Sequence, residues 1–233
     1  MLWLYHLFLL TLFRVVWKQS TFYNTLFPIV YVKDVYKHRE YLFELLKHLL
    51  VGIHGTLAAY DIPRLTSYQL ISMPNQHPAI YSYYQLEYGV YFYDTIMCLY
   101  NQLPNIFVAH HIVAVLLMYL SETYHYMYSG LYVLNMLNAT TPFLHIAKMV
   151  RNCKNNKYQI YADTCLWFLF FYHRVYRFTS YIFEHRQFIY EHHYYHLLDG
   201  PLIFLCGMQW FWFIRLTKIY IKDTLPMIES LLK

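Results

Sequence analysis

The most constraining feature of this sequence is a repeated alternation of apolar stretches and short polar breaks. Apolar stretches occupy residues 2–17, 41–60, 80–100, 106–121, 126–147, 160–183 and 197–220. A helix needs about 20 residues to cross the roughly 30 Å hydrocarbon core of a bilayer, and each stretch is of that order. The breaks carry the chemistry that ends helices. Ile62-Pro63-Arg64 and Met73-Pro74-Asn75 bracket one loop, Gln102-Leu103-Pro104-Asn105 is a tight turn, and residues 151–157 and 184–196 read as solvated loops. The stretches lack the strict alternation of barrel strands. The pattern predicts an all-α integral membrane protein, a single bundle of about seven transmembrane helices.

Composition agrees once tyrosine is scored physically. Only 13% of residues are charged, against about 25% in soluble domains. Mean hydropathy is a mild +0.24 because 28 Tyr count as polar on that scale. A tyrosine ring is mostly apolar surface with one hydroxyl, and such rings favour membrane interfaces. These figures exclude a disordered, collagen-like or disulfide-stapled chain. Cys98, Cys153, Cys165 and Cys206 form no close pair and no metal-ligand spacing, and read as core or lipid-facing thiols.

The net charge of +5 points to topology rather than to a polyanion. No basic stripe or nucleic-acid motif is present, so no nucleic-acid partner is expected. With the N-terminus outside or lumenal and the C-terminus cytosolic, the inward connections collect Lys18, Lys33, Lys37, Arg39, Lys148, Arg151, Lys154, Lys157, Arg215, Lys218, Lys222 and Lys233. The outward ones hold only Arg64 and Arg186. That is the bias expected when positive residues stay in the cytosol. The first stretch lacks the basic start and small-residue cleavage site of a signal peptide and reads as a transmembrane helix.

Ionisable groups inside spans are costly and mark function or interhelical contact. Glu44, Lys47, His48 and His54 fall in the second stretch, Glu87 and Asp94 in the third, His110 and His111 in the fourth. Asn138, Thr141 and His145 form a stripe in the fifth, where Pro142 predicts a kink. Asp163, Trp167, Phe170, Arg174 and Arg177 advance by fours and threes, which predicts one helical face. Glu87, Tyr91, Asp94 and Cys98 do likewise. Such stripes in adjacent spans point to an internal polar cavity; interhelical glue is the alternative for any single residue. The adjacent His110 and His111 diverge by about 100°, so one imidazole can face the cavity while the other orients it. Neutral imidazole suits general-base or nucleophilic work. His48, His54 and His145 are the histidines that could converge on a metal, but no ligand spacing supports one and none is assigned.

Phe107-Val108-Ala109-His110-His111-Ile112-Val113-Ala114 resembles the histidine-pair motif of the TLC-domain family, which includes ceramide synthases and translocating-chain-associating membrane proteins. Gly89 to Asp94, Thr140 to Leu144 and Gln209 to Phe213 resemble the family's flanking blocks in the right order. The resemblance spans about residues 40–220. It implies a six-helix membrane domain there, preceded by a first helix and basic loop over 1–39 and followed by a cytosolic tail over 221–233. Counted from His110, the serine and glycine of the ceramide-synthase motif fall on Ser121 and Gly130 and match. Its threonine falls on Ala114, its His-Asp pair on Leu137-Asn138 and its last Asp on Thr141. The acidic half is missing, so the chain resembles the non-synthase branch more closely.

The resulting expectation is a protein that binds, senses or moves lipids or acyl chains in membrane lipid homeostasis. The alternative is an acyl-CoA-dependent N-acyltransferase with acyl-CoA as co-substrate and His110, His111 and Asp94 as catalytic groups. Asn138, Thr141, His145, Asp163, Arg174 and Arg177 would line the lipid cavity. A transporter is a third reading, which lacks the expected repeats. No cofactor is expected; membrane lipids are the expected partners, with a homodimer as a further assembly. The expected location is the endoplasmic reticulum, or a host membrane if the Tyr-, Asn-, Lys- and Ile-rich composition reflects a viral genome.

Overall fold

A computed structural model describes residues 2–19, 23, 32–60, 77–153, 158–189 and 196–231. Its helices are α1 (Leu2–Gln19), α2 (Val35–Tyr60), α3 (Pro78–Tyr100), α4 (Asn105–Thr123), α5 (Met127–Asn138) and α6 (Thr141–Asn152). They continue with α7 (Gln159–Phe170), a π-helical turn (Phe171–Arg177), α8 (Phe178–Ile189), α9 (His196–Ile219), a second π turn (Tyr220–Thr224) and α10 (Leu225–Leu231). Because α5 with α6, α7 with α8, and α9 with α10 each form one interrupted rod, the described residues make seven rods for the seven apolar stretches.

Local chemistry sets the ends. Asp34 caps α2: its Oδ1 accepts the Lys37 amide at 3.1 Å, satisfying one of the orphan donors of the first turn. That bond also holds the Asp34 carboxyl below the usual carboxylate range. Pro78 opens α3, where its missing N–H would have no intrahelical acceptor. Gln102 (φ 51°) and His125 (φ 65°) reverse the chain after α3 and α4. The kink expected in the fifth stretch is a full break at Ala139-Thr140, with Pro142 in the first turn of α6. Proline cannot supply the amide that the Asn138 carbonyl would receive in a continuous helix.

Other boundaries move outward from those read in the sequence. The sixth stretch runs on to Ile189, and the seventh continues past residue 220, where a tail was expected, to Leu231. The loop with Pro63 and Pro74, residues 154–157 and the His192-His193 segment lie outside the described residues.

Packing follows from glycines and aromatic rings. Gly89 lets α1 lie directly on α3: a Cβ there would sit 2.8 Å from the His6 Cβ and 3.2 Å from the Trp3 carbonyl oxygen. Tyr83, Tyr84, Phe43, Leu131 and Phe178 form the buried centre. Arg14, which interrupts the first apolar stretch, is paired with Glu40 at 2.5 Å. The outer faces carry Leu4, Phe8, Leu50, Leu57, Ile112, Phe168 and Ile214, all exposed. An apolar exterior of this kind suits lipid contact. Val35–Tyr60, Asn105–Thr123 and Leu197–Glu229 are long and apolar enough to cross a membrane. All four cysteines are free.

Gly130 carries a testable consequence. A Cβ at this position would lie 1.7 Å from the Tyr84 hydroxyl oxygen, which is bonded to Ser121 Oγ at 2.9 Å and donates to the Met127 carbonyl at 3.0 Å. Gly130→Ala must displace a fully buried tyrosine. It should cost about 1–3 kcal/mol, the usual range for overpacking, and lower the thermal unfolding midpoint in detergent. Ser121→Ala, which removes the hydrogen bonds of Oγ to the Tyr84 hydroxyl and the Met118 carbonyl, should cost about 1–2 kcal/mol.

Candidate functional site

The polar residues form a seam through the bundle, and most of them satisfy one another. At its centre Asn138, the last residue of α5, donates from Nδ2 to the Tyr83 hydroxyl at 3.0 Å and to the Glu87 carboxylate. All three are buried. An unpaired polar group at that depth would be strongly destabilising, so the trio ties α3 to the break.

Arg174 lies in the π turn and fills the gap left by the helix break. Its Nη2 donates to the Leu137 carbonyl at 2.5 Å and to Thr141 Oγ1 at 2.7 Å, and its Nε donates to Thr140 Oγ1 at 2.5 Å. Its Nη1 reaches Gln209 Oε1 of α9 at 3.5 Å. The break releases a backbone acceptor, and an arginine on the neighbouring rod caps it. A helix end inside a membrane needs such a donor.

His110 and His111 face α3 from the first turns of α4. His111 Nδ1 lies 3.9 Å from Cys98 Sγ, and its ring packs edge-on to Tyr91 at 5.7 Å between centroids. His110 packs on the same tyrosine at 6.5 Å, and its Nδ1 is buried with no hydrogen-bond partner. Asp94 is bonded to neither histidine. Its Oδ1 accepts from Lys47, whose ammonium also binds Glu44 Oε2 at 2.6 Å. The expected Asp94 partnership with the histidine pair is therefore replaced by an ion-pair triad between α2 and α3. Lys47 has no exposed side-chain surface.

His48, one turn beyond Glu44, stacks on His145 of α6 with ring planes 10° apart and centroids 5.5 Å apart. Ligand atoms of Glu44, His48 and His145 all lie within 4.8 Å of one another. Of the three histidines that could have converged, His48 and His145 do so. His54 instead lies beside Tyr83, with centroids 6.0 Å apart, and Glu44 takes the third place.

The expected face from Asp163 to Arg177 holds together at its centre: Trp167 and Phe170 both pack on Phe213, and Arg174 lies over the Phe170 ring at 5.2 Å. A π turn adds a residue to the helical repeat and rotates every later side chain about the axis. Before it, Trp167 turns towards α9 and donates to Thr217 Oγ1 at 2.9 Å. Asp163 forms a two-pronged pair with Arg151 (2.9–3.2 Å) and accepts from Thr224 Oγ1 at 3.0 Å. It therefore braces α6, α7 and the second π turn. Beyond Arg174, Arg177 donates to the Tyr132 hydroxyl at 2.7 Å and lies over that ring.

Open space lies beside this seam. A narrow cleft with about 50 Å3 of enclosed room runs between α4, α5, α8 and α9, lined by Ala114, Met118, Leu134, Leu137, Leu202 and Leu205 among others. Polar atoms reach it mainly from Ser121, Tyr126, Ser129 and Tyr181. The expected polar-lined cavity is thus an apolar cleft, because the polar side chains are consumed by pairing. The two still meet: Ala114 is one turn from His110, and Leu137, whose carbonyl binds Arg174, lines the wall.

A family model described as TLC domain matches residues 37–218. The chain belongs to the TLC-domain family. The match runs from the start of α2 to near the end of α9 and includes the histidine pair, the Pro142 break and the aromatic part of α9. No match was found among curated proteins. Within this TLC-domain protein, the two positions that agree with the ceramide-synthase motif, Ser121 and Gly130, serve packing: both surround the Tyr84 hydroxyl. Of the positions that depart from it, Asn138 and Thr141 are engaged in the Glu87 and Arg174 networks.

Proposed function

We propose that this TLC-domain protein holds the acyl chain of a membrane lipid in the cleft between α4, α5, α8 and α9, as part of lipid sensing or trafficking in membrane lipid homeostasis. The carrying observation is an apolar cleft whose inner end adjoins Arg174 and His110. Hydrocarbon would replace empty space along Ala114, Leu134 and Leu205, and a polar headgroup or carbonyl would meet the donors at the helix break. The cleft is bordered by the turn between α4 and α5 and the start of α9. In the N-out arrangement favoured by the Lys/Arg bias, that is the lumenal end. Endoplasmic reticulum is the compartment we assign, and a C-terminal glycosylation tag should stay unmodified there.

A second reading, N-acyl transfer from acyl-CoA, is favoured by one observation: the buried, unpartnered Nδ1 of His110. An imidazole with a free nitrogen can deprotonate an amine or carry an acyl group. Purified protein incubated with acyl-CoA and a sphingoid base distinguishes the two. We expect lipid to co-purify, with no amide product from either wild type or His110→Ala/His111→Ala. Amide formed by wild type and lost in the double variant would overturn the binding reading in favour of the enzyme.

A further inference from the structure

We propose that Glu44, His48 and His145 form a binding site for a divalent transition ion of zinc type, joining α2 to α6. The site stands apart from the lipid cleft and does not depend on the function proposed above. Its donor set is two imidazoles and one carboxylate from two rods. That set suits zinc or a neighbouring transition ion, whereas calcium and magnesium prefer all-oxygen surroundings.

Geometry and unsatisfied groups support it independently. The three ligand atoms lie within 4.8 Å of one another, and His48 Nε2 is 3.8 Å from Glu44 Oε2. Zinc bonds of about 2.0–2.2 Å in a tetrahedron place ligand atoms about 3.3 Å apart, so modest side-chain rotation closes the site. His48 and His145 each keep a buried Nδ1 with no hydrogen-bond partner, and His145 is only 7% exposed. Neither Nδ1 is held by a protein hydrogen bond, so both rings are free to turn towards an ion. The ammonium of Lys47, 2.6 Å from Glu44 Oε2, orients the carboxylate from outside, in the manner of groups that steady metal ligands. The carboxylate retains lone pairs for an ion. Three protein ligands leave a fourth position open.

The test uses full-length protein in detergent, stripped with a chelator, loaded with zinc, dialysed against metal-free buffer and assayed for metal by mass spectrometry. Wild type should retain about one zinc per chain, as a single tetrahedral site requires. His48→Ala/His145→Ala should retain about tenfold less or lower, since ligand loss removes most of the affinity. His54→Ala should match wild type. Cobalt titration of stripped wild type keeps the proposal open to refutation even if the double variant fails to fold. A visible d–d band should saturate near one equivalent and disappear on adding zinc. No retained zinc in wild type, equal retention in the double variant, or no such band would overturn the site.

Discussion

Replacing Lys47 with Met should cost about 3–5 kcal/mol, the range for removing one partner from a buried ionic cluster. The ammonium is completely buried and is bonded to both Glu44 and Asp94. Without it, two carboxylates from α2 and α3 face each other inside a bundle with little water to solvate them. The expected result is a large fall in the thermal unfolding midpoint and loss of monodisperse protein in detergent. The cause can be separated from lost packing. Adding Glu44→Gln and Asp94→Asn to Lys47→Met should restore most of the midpoint, because the uncompensated charge is removed while the volumes stay similar. A triple variant as unstable as Lys47→Met alone would show that the triad's charge is not what matters.

Arg174→Met should be nearly as damaging, for a different reason. Arg174 donates to the Leu137 carbonyl and to both threonine hydroxyls at the helix break. Each buried acceptor left without a donor costs about 1–3 kcal/mol. The hydroxyls of Thr140 and Thr141 already lie 3.4 and 3.3 Å from the Leu137 carbonyl oxygen and would recover part of the loss. The net cost should be about 2–3 kcal/mol. Amide exchange around residues 139–144 should quicken more than exchange in α1 or α3. Arg174→Lys should recover only part of the stability, since one ammonium cannot reproduce a guanidinium's several directed donors. A midpoint within error of wild type for Arg174→Met would mean that the break is held by something else.

These residues also show how far local sequence patterns reach. The seven stretches, the proline break and the histidine pair are legible because each has a local cause: apolar length, a missing amide, and two adjacent side chains of one type. The common face of Glu87, Tyr91, Asp94 and Cys98 is legible because α3 is an unbroken helix. The face from Asp163 to Arg177 is legible in part: Arg174 still lies over Phe170, but the π turn at Phe171–Arg177 changes the helical phase towards Arg177. Nothing in the four-and-three spacing signals such a turn. Asp163, expected to line the cavity, lies instead with Arg151 and Thr224. Glu44, rather than His54, joins His48 and His145, and its four-residue spacing from His48, which places both on one face of α2, is the signal that could have found it. The cleft is hidden for a more general reason. Ala114, Leu137, Tyr181 and Leu202 come from four rods, and no local pattern links them.

The most direct test of the lipid-binding cleft is photocrosslinking of a diazirine-bearing fatty-acyl lipid to the purified protein, with the labelled peptides then mapped. Label should concentrate on residues 114–121 of α4 and 198–205 of α9, and should fall when Ala114→Trp fills the cleft. Label spread over outward-facing α1 residues such as Leu4 and Phe8, and unchanged by Ala114→Trp, would contradict acyl-chain binding in the cleft.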